Sequence, residues 1–102
     1  MDITITPTDA AITARISGPI TEQDGESLKK AFSELLAASQ KQVELDLSMV
    51  PIITSTGIGK LILLFRKLKA QARELKIKAI NDNLYEMFAS INLDRMLKIE
   101  RN

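Results

Sequence analysis

The chain has 102 residues, 45% apolar and 26% charged, with a net charge of +1, the balance of a single soluble globular domain that can bury a core without staples. It contains no cysteine and no histidine, which excludes disulfides, thiolate and imidazole metal sites, a Ser-His-Asp triad and phosphohistidine relays. Carboxylates, lysines and hydroxyls remain, and none stand in a recognisable catalytic spacing. No enzymatic activity, catalytic residue, metal or cofactor is therefore expected.

Ile3 and Ile5 alternate with Thr4 and Thr6 as far as Pro7, and Ile12, Ala14 and Ile16 alternate with Thr13, Arg15 and Ser17 as far as Gly18-Pro19. This period of two predicts two half-buried strands joined through residues 7–10 as a hairpin. Thr21 with Asp24 three residues later is close to a capping box, and the acids at 22, 24 and 26 suit the positive end of a helix. Leu28, Phe32, Leu35 and Leu36 keep helical spacing up to about Ser39. Val43, Leu45 and Leu47 alternate with Glu44 and Asp46 and predict a strand with Asp46 facing solvent.

The strongest pattern comes next. Ile58, Leu61, Ile62, Phe65, Leu68 and Ala72 mark one face of a helix ending near residues 73–75. Ile77, Ala79 and Ile80 predict a short strand. Asn81 or Asp82 can cap a third helix carrying Leu84, Met87, Phe88 and Ile91, and residues 96–99 predict a closing strand. The order β-β-α-β-α-β-α-β describes an α/β fold over residues 1–102. Its mixed sheet opens with the hairpin and continues with parallel strands, and alternation on the strands places the helices mainly on one face.

No apolar run approaches a membrane span and the N-terminus lacks the order of a signal peptide, so the cytoplasm is the expected location. Charge is uneven: residues 1–59 carry four Lys/Arg and eight Asp/Glu, and residues 60–102 carry ten and five. Lys60, Arg66, Lys67, Lys69 and Arg73 supply much of the excess. No aromatic residues interleave with them as in a nucleic-acid footprint, so they predict a solvated basic face and no nucleic-acid partner.

Thr54-Ser55-Thr56-Gly57-Ile58-Gly59 joins an apolar stretch to the long helix. Hydroxyls at a helix entrance read in two ways. They cap the free backbone N–H groups, or they accept a phosphate that those groups and the helix dipole favour. Gly57 and Gly59 are spaced for close backbone approach, to a neighbouring strand or to a partner; no lysine follows in P-loop register. Leu63 falls nearly opposite the apolar face, among Gly59, Lys60, Arg66 and Lys67. A lone exposed leucine is ordinary, and one ringed by charge near a candidate modification site is also a docking point.

In this context the chain resembles the STAS family, whose best-known members are bacterial anti-sigma factor antagonists. The family has a strand like Val43-Glu44-Leu45-Asp46-Leu47-Ser48, then Asp-Ser-Ser-Gly-Leu-Gly opening an amphipathic helix, matched here by Thr54 to Gly59. Gly18, Ile20 and Thr21 resemble its strand end before the first helix, and residues 83–88 with Ile91-Asn92-Leu93 resemble its last helix and the turn after it. The resemblance implies that Ser55 is the phosphoacceptor, with Thr54 and Thr56 as secondary candidates. It implies a partner surface over Thr54, Ser55, Thr56, Gly57, Gly59, Lys60 and Leu63. The implied partners are an anti-sigma factor that is a serine kinase of the histidine-kinase-like ATPase superfamily, and a PPM-type serine phosphatase. ATP and Mg²⁺ would belong to the kinase. Unphosphorylated antagonist would bind the kinase and phosphorylated antagonist would release it. The alternative within the family is a scaffold or transporter-associated subunit that needs no phosphate. Thr54 departs from the family's Asp and removes a carboxylate beside the acceptor.

Overall fold

The computed structural model describes residues 1–101. Strands β1 (Asp2–Pro7) and β2 (Ala11–Ser17) form the expected antiparallel hairpin, closed by the Thr8 N–H donating to the Ala11 carbonyl at 2.8 Å. A 3₁₀ turn (Glu22–Asp24) leads into α1 (Gly25–Ala37), and then β3 (Gln42–Met49), α2 (Ser55–Ala70), β4 (Glu74–Ile80), α3 (Asp82–Ser90), the short α4 (Leu93–Met96) and β5 (Lys98–Ile99) complete the described chain. The sheet order is β1-β2-β3-β4-β5, antiparallel at the first pair and parallel thereafter.

Strand order explains the layering. Crossovers between parallel strands are right-handed, so strands added consecutively in one direction send every crossover helix to the same face. On that face Ile12, Ala14, Ile16, Val43, Leu45, Leu47, Leu75, Ile77 and Ile80 meet Leu28, Leu35, Leu61, Leu64, Leu68, Leu84 and Phe88 in one apolar cluster. Among the described residues no polar or charged residue is buried. The inward row of β4 changes parity between Ile77 and Ile80 because a bulge lets Leu45 pair with Ile77 while Asp46 pairs with Ala79. One extra residue is thus absorbed without losing either side chain from the core.

Five expectations need correction. Helix α2 ends at Ala70, and Ala72 is an exposed turn residue with φ of 59°, not part of the apolar face. The turn is held by the Arg73 N–H, which donates to the Leu68 carbonyl at 2.9 Å, a local arrangement that helical periodicity does not encode. Leu64, which the periodic row omitted, is buried. Ile91 is the C-cap of α3 and 48% exposed. Met96 closes α4, leaving only Lys98–Ile99 as the final strand. Asp46 does not simply face solvent: it is half-buried and accepts from the Ser48 N–H at 3.0 Å and its hydroxyl at 2.7 Å. Burial raises its pKa, but these two bonds, with Arg15 and Lys78 nearby, outweigh that and hold it low.

The basic face is also more structural than its sequence suggests. Arg73 donates from Nε to the Gln40 carbonyl at 2.6 Å and from a terminal nitrogen to the Leu36 carbonyl at 3.2 Å. It ties the entry of β4 to the end of α1.

Candidate functional site

The site is built at the carboxyl end of β3, where open α/β sheets present their loops. The chain after β2 runs beside the chain after β3. The Gly18 N–H donates to the Met49 carbonyl at 2.9 Å, the Ile20 N–H to the Ile52 carbonyl at 3.0 Å, and the Thr54 N–H to the Ile20 carbonyl at 3.0 Å. Gly18 makes this possible by adopting φ of 90°, a conformation that side chains disfavour. From the other side, Asn81 donates its amide to the Val50 carbonyl at 2.7 Å and accepts from the Leu84 N–H at 2.9 Å. One residue therefore caps α3 and pins the loop that presents Ser55. These ties hold residues 49–54 in place before any partner arrives.

The N-cap of α2 is Thr54, and Ser55 is the first helical residue. This corrects the simple capping role for Ser55. Thr54 does not perform that role with its side chain either: it makes no side-chain cap, and its hydroxyl oxygen is buried without a hydrogen-bond partner. Its carbonyl still accepts the Ile58 N–H at 3.0 Å. The backbone N–H groups of the first turn are thus left without a side-chain acceptor. The first turn of α2 also carries no acidic residue, whereas α1 has Glu26 and α3 has Asp82. The contrast extends to the 3₁₀ turn ahead of α1, where Asp24 accepts from the Thr21 N–H at 2.7 Å and from its hydroxyl at 3.0 Å. The backbone bond from Thr21 is the main cause that keeps the Asp24 carboxyl below its ordinary pKa.

Helix α2 sorts its polar and glycine residues by face. Ser55 is exposed, Thr54, Thr56 and Lys60 are half-buried, Gly59 is exposed and Gly57 is buried. A Cβ on Gly57 would lie 2.7 Å from Ile20 Cγ2 and 2.7 Å from Ile53 Cγ1. Gly57 is consequently the point where the helix approaches the Ile20–Ile53 bridge, and it offers no surface to a partner. It leaves the set of surface candidates. Around Gly59 nothing lies within 4 Å of a built Cβ. No packing within the chain requires a glycine there, although glycine in a helix costs about 1 kcal/mol relative to alanine. Leu63 is 50% exposed at the edge of a groove between α1 and α2.

Two exposed apolar residues near the loop did not stand out in the sequence. Met49, the last residue of β3, and Ile52, on the loop before Ser55, are each 56% exposed. In the sequence they belong to the apolar stretch that leads toward the hydroxyl loop. The available signal was Pro51, which cannot continue a central strand.

A five-stranded mixed sheet with its helices on one face, and a hydroxyl-glycine loop opening the second crossover helix, define a small α/β sandwich domain. The chain belongs to the STAS family: the STAS domain matches residues 2–102. Solved structures share the fold. An anti-sigma factor antagonist from Mycobacterium paratuberculosis is 20% identical, with a TM-score of 0.85 over 96% of this chain and 83% of that one. The anti-sigma factor antagonist SpoIIAA in its unphosphorylated form is 14% identical, with a TM-score of 0.83 over 99% and 88%. The phosphorylated form of SpoIIAA from Bacillus, also 14% identical, gives 0.77 over 99% and 91%. A sulfate transporter family protein from Wolinella succinogenes is 19% identical, with a TM-score of 0.77 over 94% and 80%. No helix among the described residues is long and apolar enough to cross a membrane.

Proposed function

We propose that this protein is a cytoplasmic bacterial anti-sigma factor antagonist in a partner-switching pathway, and that it acts as a substrate and binding module without catalysis of its own. In its unphosphorylated state it binds an anti-sigma factor that is a serine kinase of the histidine-kinase-like ATPase superfamily. Phosphorylation of Ser55 releases it, and a PPM-type serine phosphatase resets it. The observation that carries this reading is the entrance of α2. Ser55 is exposed at the one long helix whose first turn has no acidic residue and whose N-cap side chain leaves the backbone N–H groups free. A phosphate adds about two negative charges, and a helix N-terminus accommodates them without unfolding.

The phosphate acts on the partner. Met49, Ile52 and Leu63 are exposed apolar residues on the elements that flank Ser55, and Gly59 leaves open space one turn along its helix. Like-charge contact at an interface costs several kcal/mol, and each ~1.4 kcal/mol is tenfold in affinity. The switch therefore requires only that the interface reach Ser55. Structural likeness to a sulfate transporter family protein supports a second reading, a scaffold or transporter-associated subunit in which Ser55 stays unmodified.

Incubation with the cognate kinase and Mg-ATP, read by mass spectrometry, separates the two. Wild type is expected to gain one phosphate at Ser55 and Ser55→Ala to remain largely unmodified, with Thr54 and Thr56 taking only residual label. Ser55→Asp is expected to fold normally and bind the kinase weakly. Absence of phosphate from protein purified from its own host under all growth conditions would favour the scaffold reading.

A further inference from the structure

The groove between α1 and α2 has a chemistry that selects its occupant. Helices α1 and α2 both cross between parallel strands, so they run in the same direction with their N-termini at the Ser55 end. There they come close: a Cβ on Gly25 would lie 3.5 Å from Lys60 Cε and 3.8 Å from Thr56 Cγ2. Beyond that point the helices enclose an open groove of about 230 Å³, below the roughly 300–1,000 Å³ of small-molecule sites. Its floor is apolar, from Phe32 and Leu36 of α1 and Leu63 and Leu64 of α2. Its rim carries Lys29, Lys60 and Lys67 against Glu26 alone, a net charge of +2. All three lysines are at least partly exposed, and none has an ion-pair partner among the described salt bridges.

We propose that this groove takes an acidic amphipathic helix of the protein partner, with apolar side chains inserted beside Leu63 and carboxylates on the lysine rim. The proposal rests on the docking role assigned above to α2. Charge complementarity chooses the acidic segment, and the apolar floor between two helices suits the helix-in-groove mode of recognition. A phosphate of about −2 on Ser55, five residues before Lys60 on the same helix, would offset the rim's excess charge and repel carboxylates docked there.

The test uses two synthetic helical peptides with the same leucine face, one with glutamate and one with lysine on the polar face. They are titrated into the isotopically labelled full chain and followed by amide chemical shifts. The glutamate peptide is expected to shift Phe32, Lys60, Leu63 and Lys67 and to weaken at least tenfold between low and high salt, while the lysine peptide leaves these amides unmoved. The double variant Lys60→Glu with Lys67→Glu, which alters only rim residues, is expected to lose the glutamate peptide at least tenfold and gain the lysine peptide. Equal binding of both peptides, shifts elsewhere, or no binding of either would overturn the proposal. So would the same amides moving on addition of decanoate alone, which would make the groove a lipid site. Movement with protein concentration alone would assign it to a second copy and overturn it too. No kinase is needed, so failure to phosphorylate Ser55 would remove the switch yet leave this result standing.

Discussion

The inner and outer rows of α2 use the same residue types for opposite ends. Gly57 and Leu61 face inward, where Gly57 admits Ile20 and Ile53 and Leu61 is 2% exposed. Gly59 and Leu63 face outward, where a Cβ would touch nothing and Leu63 is half-exposed. The difference teaches that a glycine or leucine acquires its role from what stands across from it. Inside, both are constrained by neighbours. Outside, neither is constrained by a neighbour within the chain.

Substitutions that should behave alike if the rows were equivalent can break this comparison. The largest contrast is between two leucines. Leu61→Glu buries a charge with no partner and is expected to unfold the domain, a loss above about 4 kcal/mol. Leu63→Glu is expected to change stability by less than about 0.5 kcal/mol, as an exposed substitution does, while abolishing partner binding. Thermal melts and kinase pull-downs of the two variants measure both halves. Equal melting temperatures would dissolve the distinction between the rows.

The glycines follow at smaller size. Gly57→Ala forces a methyl into Ile20 and Ile53 and is expected to cost about 1–3 kcal/mol, as overpacking does. Gly59→Ala has open space and better helix propensity, and is expected to stabilise by about 0.5–1 kcal/mol. Urea titrations should show opposite signs. If Gly59→Ala raises stability yet weakens kinase binding, the glycine serves the partner's approach.

The smallest effect concerns the two capping residues that flank the loop. Asn81→Ala removes a working cap and the tie to Val50, and is expected to cost ~1 kcal/mol or more. Thr54→Val removes a hydroxyl that has no partner, and is expected to leave stability unchanged or raise it by up to about 1 kcal/mol. A loss on Thr54→Val comparable to that of Asn81→Ala would mean the Thr54 hydroxyl caps α2 after all.

Much of this protein was determined by its sequence. Alternation at Ile12, Ala14 and Ile16 and at Val43, Leu45 and Leu47, and the 3.6-residue spacing of Leu28, Phe32 and Leu35, report which side of each element is apolar. That is a local property, written in neighbouring side chains. It was enough for the element order, the mixed sheet and the helices on one face, while the family came from the resemblance of the motif at residues 54–59 and its context. The roles of Gly57 and Gly59 were not separable in this way, because the difference lies in the packing of Ile20, remote in sequence, and Ile53 against Gly57 and in the open space around Gly59. Nor could the sequence show that Thr54 leaves its helix uncapped, that Asn81 clasps Val50, or that Arg73 reaches Gln40 and Leu36. The groove and its lysine rim belong to the same class. They exist because right-handed crossovers lay α1 and α2 side by side, bringing Lys29 and Lys60 together across a separation that no local pattern spans.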